Sequence, residues 1–180
     1  ARKSPNESWL TLRASVSAIA DEAGRHGAHA LVGEFGNDLD SPNGALWFEE
    51  SLAAYDEHRL SWAMWLYEEW SQDAWGLYDF SDDGSGPRRA ALREHMADLL
   101  ARPFPQAVDG ALLSLRWDPL TLTLTVDFDG AGTHTFSAPA RVWPDGPSAA
   151  CDGEAVEATP SGRGRVDVLC GGSRVELTAR

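Results

Sequence analysis

Basic residues are scarce: 15 Lys and Arg stand against 28 Asp and Glu, a formal net charge of −13. Phosphate recognition needs clustered cations, so no nucleic-acid partner is expected. An anionic membrane would repel the chain for the same reason. A neutral partner, a sugar or a lipid, suits this balance better than a polyanion. Long apolar runs are also missing, and without eighteen consecutive apolar residues no stable membrane insertion is expected. The opening ARKSPNES has no apolar centre and decides nothing about export. Cysteine is limited to Cys151 and Cys170, both in the last thirty residues. They form either a disulfide across a short β region, in keeping with a secreted or extracellular protein, or a pair of buried thiols. Histidines are few and scattered, and His26 and His29 straddle Gly27 just before an apolar run. That is no metal-ligand spacing, so neither a metal nor a cofactor is expected.

What is present divides into two kinds of pattern. The 180 residues, 43% hydrophobic, suffice for one ordinary domain or two small ones. In residues 1–104, SPNE at Ser4–Glu7 reads as a capping box with Pro5 at the first helical position. Trp9, Leu12, Val16 and Ile19 recur at helical spacing, and Gly24 is the expected stop. HALVGEF follows as a short continuous apolar strand, of the kind buried on both faces of a parallel sheet. A second helix is predicted through ALWFEESLAAYDEH, with Phe48, Leu52 and Tyr55 on one face, then a second buried strand, LSWAMWLY. The aromatic loop EEWSQDAWGLYDFSDDGSG leads to Pro87 and a third helix striped by Leu92, Met96 and Leu99. Helix, strand, helix, strand, helix is α/β order with a parallel sheet.

Residues 105–180 alternate with period two instead. TLTLTVDF and LLSLRW flank an Asp118-Pro119 turn, and RVDVLC and SRVELT are separated by Gly171-Gly172, a hairpin signal. A small antiparallel β-sandwich with one buried face per sheet is predicted, with Pro103 and Pro105 as a stiff connector before it. Trp117 and Trp143 are expected in its core or at an interface, because its exposed faces carry no aromatic row.

VGEFG at one strand end and SWAMWLYEEW at the next resemble the last two strands of glycoside hydrolase family 5. RPFPQAVDGALLSLRWDPLTLTLTVDF further resembles the opening of the β domain in its endoglycoceramidase and glycosylceramidase branch. The resemblance implies the last strands and helices of a (β/α)8 TIM barrel, followed by the sandwich. It also implies cleavage of the β-glycosidic bond between glycan and ceramide. Glu34 matches the nucleophile and Trp65 the sugar-stacking tryptophan, ahead of Trp62. The family's Asn-Glu-Pro acid/base motif has no counterpart here: Asn6-Glu7 is followed by serine and opens a helix. A barrel needs about 250 residues. The resemblance therefore implies a carboxyl-terminal piece, inactive alone, whose partners are its own N-terminal portion and a glycolipid substrate.

Hydrolysis with retention uses two carboxyl groups about 5–5.5 Å apart, one attacking the anomeric carbon and one protonating the leaving oxygen. Glu34, the one acid between Gly33 and Phe35-Gly36, is the candidate attacker. Trp70 and Trp75, in an unusually apolar loop, are candidates for facing the ceramide tails. Glu68 and Glu69 read as an acidic rim, and Asp38, Asp40, Glu49 and Glu50 as solvated polarity. Two alternatives stand beside this: another family 5 β-glycosidase, or a non-catalytic binding or assembly fragment.

Overall fold

The computed structural model describes residues 5–67, 75–82 and 84–180, giving the backbone alone for 5–10, 82 and 87–90. Two compact units follow one another, Ala1–Leu100 and Ala101–Arg180.

The first unit opens with α1, Pro5–Arg25. Ser4, the expected cap, lies outside the described residues, as does the Trp9 side chain. Val16 is buried, but Ile19 is 47% exposed, so the predicted stripe is covered only in part. The helix runs past Gly24 to Arg25, and Gly27 rather than Gly24 closes it. Gly27 takes φ +61°, and Ala28 N–H returns to the Ala23 carbonyl, a closure that glycine makes without steric cost.

β1, Leu31–Phe35, lies parallel to β2, Ser61–Met64. Between them runs α2, Gly44–Glu57, with Phe48 and Leu52 fully buried and Tyr55 nearly so. The strands form where expected but are not buried on both faces: Phe35 is buried, whereas Leu31 is 66% exposed. The reason is that the helices cover one side. Val32, Phe35, Trp62 and Met64 pack with side chains of α1 and α2, leaving the alternate positions open.

The third predicted helix needs correction. Tyr78–Asp82 (β3) pairs antiparallel with Pro87–Leu92 (β4), and α3 begins only at Glu94, running to Leu100. Pro87 signals a helix start because its missing N–H is harmless there. Here Gly84 and Gly86, at φ +90° and +107°, turn the chain into a hairpin first. Arg93 then ties α3 back, its guanidinium ion-paired with Asp79 at 2.7 Å and its backbone N–H donating to the Leu77 carbonyl. Met96 is buried as expected, while Leu92 belongs to the strand.

The second unit holds nine strands: β5 (Phe104–Ala107), β6 (Leu112–Asp118), β7 (Thr123–Phe128), β8 (Gly132–Ser137), β9 (Pro147–Cys151), β10 (Glu154–Val156), β11 (Ala158–Gly162), β12 (Arg165–Cys170) and β13 (Arg174–Ala179). They make two antiparallel sheets, ordered β10-β9-β13-β7-β6 and β11-β12-β8-β5. Inward residues of both build one core, including Leu124, Val126 and Phe128 of the strictly alternating β7, and Trp143. Trp117 packs edge-on against Trp143, whose indole N–H donates to the Leu122 carbonyl at 3.1 Å.

Two turn signals meant something else. Pro103 and Pro105 are not a free connector, because Phe104–Ala107 is the edge strand beside β8. Proline is tolerated there because an edge strand leaves donors unused. Gly171-Gly172 is not a hairpin either: β12 and β13 lie in different sheets. A side chain at Gly172 would collide with the Asp152 carboxylate, which accepts the Arg174 N–H at 2.9 Å. That glycine marks a close approach, not a two-residue turn. Cys151 on β9 and Cys170 on β12 are disulfide-bonded, Cα to Cα 5.5 Å, so the staple joins the two sheets.

Candidate active site

Glu34 sits where the parallel pairing slips. Val32 is opposite Trp62 and Phe35 opposite Met64, so Gly33 and Glu34 together face the single residue Ala63. Such a bulge re-aims a side chain at a strand end. Glycine inside a strand is its usual sequence mark, and Gly33 carried that signal unread. Glu34 is exposed, while the next residue, Phe35, is driven inward.

Backbone contacts fix the second strand end beside the first. Trp65 N–H donates to the Phe35 carbonyl at 2.7 Å. The Trp65 carbonyl lies directly against the Gly36 Cα, where any Cβ would overlap its oxygen. The second glycine of GEFG is therefore there for close approach, whereas a Cβ at Gly33 would meet nothing within 4 Å. The Trp65–Leu66 peptide is cis. Gly44 serves the loop after β1, because a Cβ there would crowd the Asp38 and Leu39 carbonyls.

Glu34, Phe35, Gly36, Trp47, Tyr55, Trp65 and Trp75 line one cleft of about 360 Å³. That lies within the range of small-molecule sites, about 300–1,000 Å³. Three sequence candidates, Glu34, Trp65 and Trp75, thus meet in one place. Trp70, Glu68 and Glu69 lie outside the described residues. Trp62 and Met64 pack inward instead, Trp62 edge-on to Phe35 at 5.2 Å. Trp65 leaves 42% of its surface open, as a ring available for stacking must.

Trp47 and Tyr55 were not among the sequence candidates. A tryptophan in the first turn of the helix after β1 lies at the same end as that strand's acid, which is the signal that could have found Trp47. Burial raises the Tyr55 phenol above its ordinary value, keeping it neutral. Ser51 opposes that shift, although its buried hydroxyl makes no hydrogen bond of good geometry.

Glu34 is the sole carboxylate among the described residues lining the cleft, so the arrangement holds one half of an acid pair. Glu50, expected as solvated, accepts from Arg13 Nε at 2.9 Å across α1 and α2. Among the described residues no cluster of His, Cys, Asp and Glu is suited to a metal ion, and no helix is long and apolar enough to cross a membrane.

No family model matches the chain, and no curated protein matches it in sequence. Solved structures do match in fold. The endo-glycoceramidase II of Rhodococcus sp., captured as a lactosyl-enzyme intermediate, superposes with a TM-score of 0.70 at 20% identity, over 95% of this chain and 38% of that one. An endogalactoceramidase matches with 0.63 at 20%, over 93% and 37%. Sterylglucosidase 1 of Cryptococcus neoformans matches with 0.64 at 14%, over 95% and 31%. The chain thus has the mixed α/β fold of a part of these glycosidases, and spans 31–38% of their length.

Proposed function

We propose that this chain is the carboxyl-terminal portion of a retaining glycoside hydrolase of family 5. It cleaves the bond between glycan and ceramide in glycosphingolipids. Its two strands belong to a (β/α)8 barrel completed by an N-terminal portion of the same enzyme, and its β unit is a supporting sandwich. The observation that carries this is Glu34, re-aimed by a bulge at the carboxyl end of a parallel strand into a tryptophan-walled cleft. Catalytic groups of such barrels stand at that end of the strands.

In the first step the Glu34 carboxylate attacks the anomeric carbon as the glycosidic C–O bond breaks, forming a glycosyl ester. A proton donor on the remaining portion delivers its proton to the departing ceramide oxygen. In the second step the same group, now a base, takes a proton from water, and the resulting oxygen displaces Glu34. Trp65 stacks on the sugar next to Glu34, burying its C–H face. Trp75 faces the lipid. The fold likeness to an endo-glycoceramidase captured as a lactosyl-enzyme supports the covalent step. The open positions of β1 and β2 support a completing partner. The disulfide favours an oxidising, extracellular compartment.

A second reading, a β-glucosidase with another lipid aglycone, is favoured by the fold match to a sterylglucosidase. Glu34→Gln in the complete enzyme tests both at once, because amide nitrogen cannot form the ester. Turnover of lactosylceramide and of a steryl glucoside should both vanish with the melting temperature unchanged. Retained hydrolysis would remove Glu34 from the chemistry, and wild-type preference between the two substrates separates the readings.

A further inference from the structure

Phe35 occupies a position that its neighbour Glu34 does not share. Its ring is buried among four others: Trp62 at 5.2 Å, Tyr55 at 5.3 Å and Phe48 at 5.6 Å, all edge-on, and Trp47 at 6.1 Å, stacked. Edge-to-face and offset-stacked pairs both have preferred geometries, so three of the first kind and one of the second define where the ring can sit. Its carbonyl accepts the Trp65 N–H. The bulge interrupts the regular ladder beside Glu34, so strand pairing constrains that residue less than it would in a regular strand. From these contacts we infer that Phe35 sets the position of Glu34 relative to Trp65, and that Phe48 and Trp62 are positioning residues acting through it.

This rests on the hydrolase reading above and adds what determines the geometry of its nucleophile. Phe48 and Trp62 are the informative pair, because neither is among the residues lining the cleft. Phe48 is fully buried on α2, and Trp62 stands on β2 opposite Val32. An effect of either on catalysis has to pass through packing rather than substrate contact. Misplacement of a reacting group by about 1 Å costs about 100-fold in rate. Loosening one of four contacts produces a part of that.

The test uses the complete enzyme with Phe48→Met and Trp62→Leu, changes that remove a ring yet leave an apolar side chain. A 2-fluoroglycosyl fluoride reports the attack step alone, through its saturating rate of inactivation. That rate and kcat should fall about 10- to 100-fold. KM and the inhibitor's half-saturating concentration should stay within about two-fold, since ground-state binding is untouched. Trp62→Phe, which restores a ring, should recover most of the rate. Met96→Ala, buried in the same core on α3, should lower the melting temperature without slowing inactivation. Unchanged inactivation in Phe48→Met and Trp62→Leu would overturn the inference, as would equal slowing by Met96→Ala or a rise in KM alone. If Phe48→Met fails to fold, Trp62→Leu against Trp62→Phe decides. An active Glu34→Gln removes Glu34 as the nucleophile of the proposed reaction, whereas an inactive one beside unslowed Phe48→Met and Trp62→Leu sinks only the positioning role.

Discussion

Gly36→Ala should separate the two glycines of the GEFG stretch. A Cβ on Gly36 would overlap the Trp65 carbonyl oxygen, and would stand 3.2 Å from that carbonyl's carbon and 3.4 Å from Trp75 Cε3. The obstacle is backbone, held by the Trp65–Phe35 hydrogen bond, so no side chain can swing aside. Restoring ordinary contact moves the Trp65 peptide by about 1 Å or more. Overpacking of that kind costs about 1–3 kcal/mol. In a unit of this size each kcal/mol lowers the melting temperature by roughly 4–8 °C. Gly33→Ala is the matched control: its Cβ meets nothing within 4 Å. Its effect should be neutral, or stabilising by up to about 1 kcal/mol through the unfolded chain. The assay is thermal unfolding of the 180-residue chain, followed by near-ultraviolet circular dichroism, to which Trp65 and Trp75 contribute. Equal melting temperatures for the two variants would refute the close-approach account of Gly36.

Other consequences are as direct. Reducing Cys151–Cys170, or replacing both by Ala, removes a closed loop of 19 residues. The β unit should lose about 3 kcal/mol, read by denaturant unfolding with and without reductant; coincident curves would contradict a structural staple. His134 is fully buried, and its Nδ1 accepts the Asp109 N–H at 3.3 Å. Burial lowers its pKa below the ordinary 6.5, outweighing the attraction of Asp109. Acid therefore charges it in the unfolded chain first. The β unit should hold full stability above pH 6.5 and lose it as pH falls toward the depressed folded value. His134→Phe should flatten that decline; an unchanged slope would acquit His134. The lowered carboxyl of Asp127, held by Arg174 and Ser114, acts only at lower pH, below its ordinary 3.8. Trp75→Ala in the complete enzyme should weaken cleavage of a glycosphingolipid more than of a water-soluble aryl glycoside, and equal losses would count against a lipid-facing role.

Much of this was legible because periodicity reports burial and little else is needed for it. The Phe48, Leu52 and Tyr55 stripe and the alternation of β7 translate directly into cores. Punctuation was read less well. Gly172, Gly33 and Pro87 each carry a local signal with more than one structural cause. A glycine answers a turn, a bulge or a crowding carboxylate alike, and the deciding neighbour is remote in sequence: Asp152 for Gly172, Met64 opposite Phe35 for the bulge. Strand exposure was misread for a related reason. Composition states that HALVGEF and LSWAMWLY suit burial on both faces, not whether anything described covers the second. Glu34 and Trp65 were singled out by the resemblance of their strand ends to a family pattern, and Trp75 by the apolar content of its loop. Trp47 and Tyr55 were missed because a helix stripe reads as core even where its rim opens on a cleft.

The identity of the residue that bonds to sugar is the most direct test of the whole account. The complete enzyme, inactivated with a 2-fluoroglycosyl fluoride and digested, should yield one peptide heavier by a single fluoroglycosyl group. Fragmentation should put that mass on Glu34. The label on any other side chain, or inactivation without a covalent adduct, would contradict it.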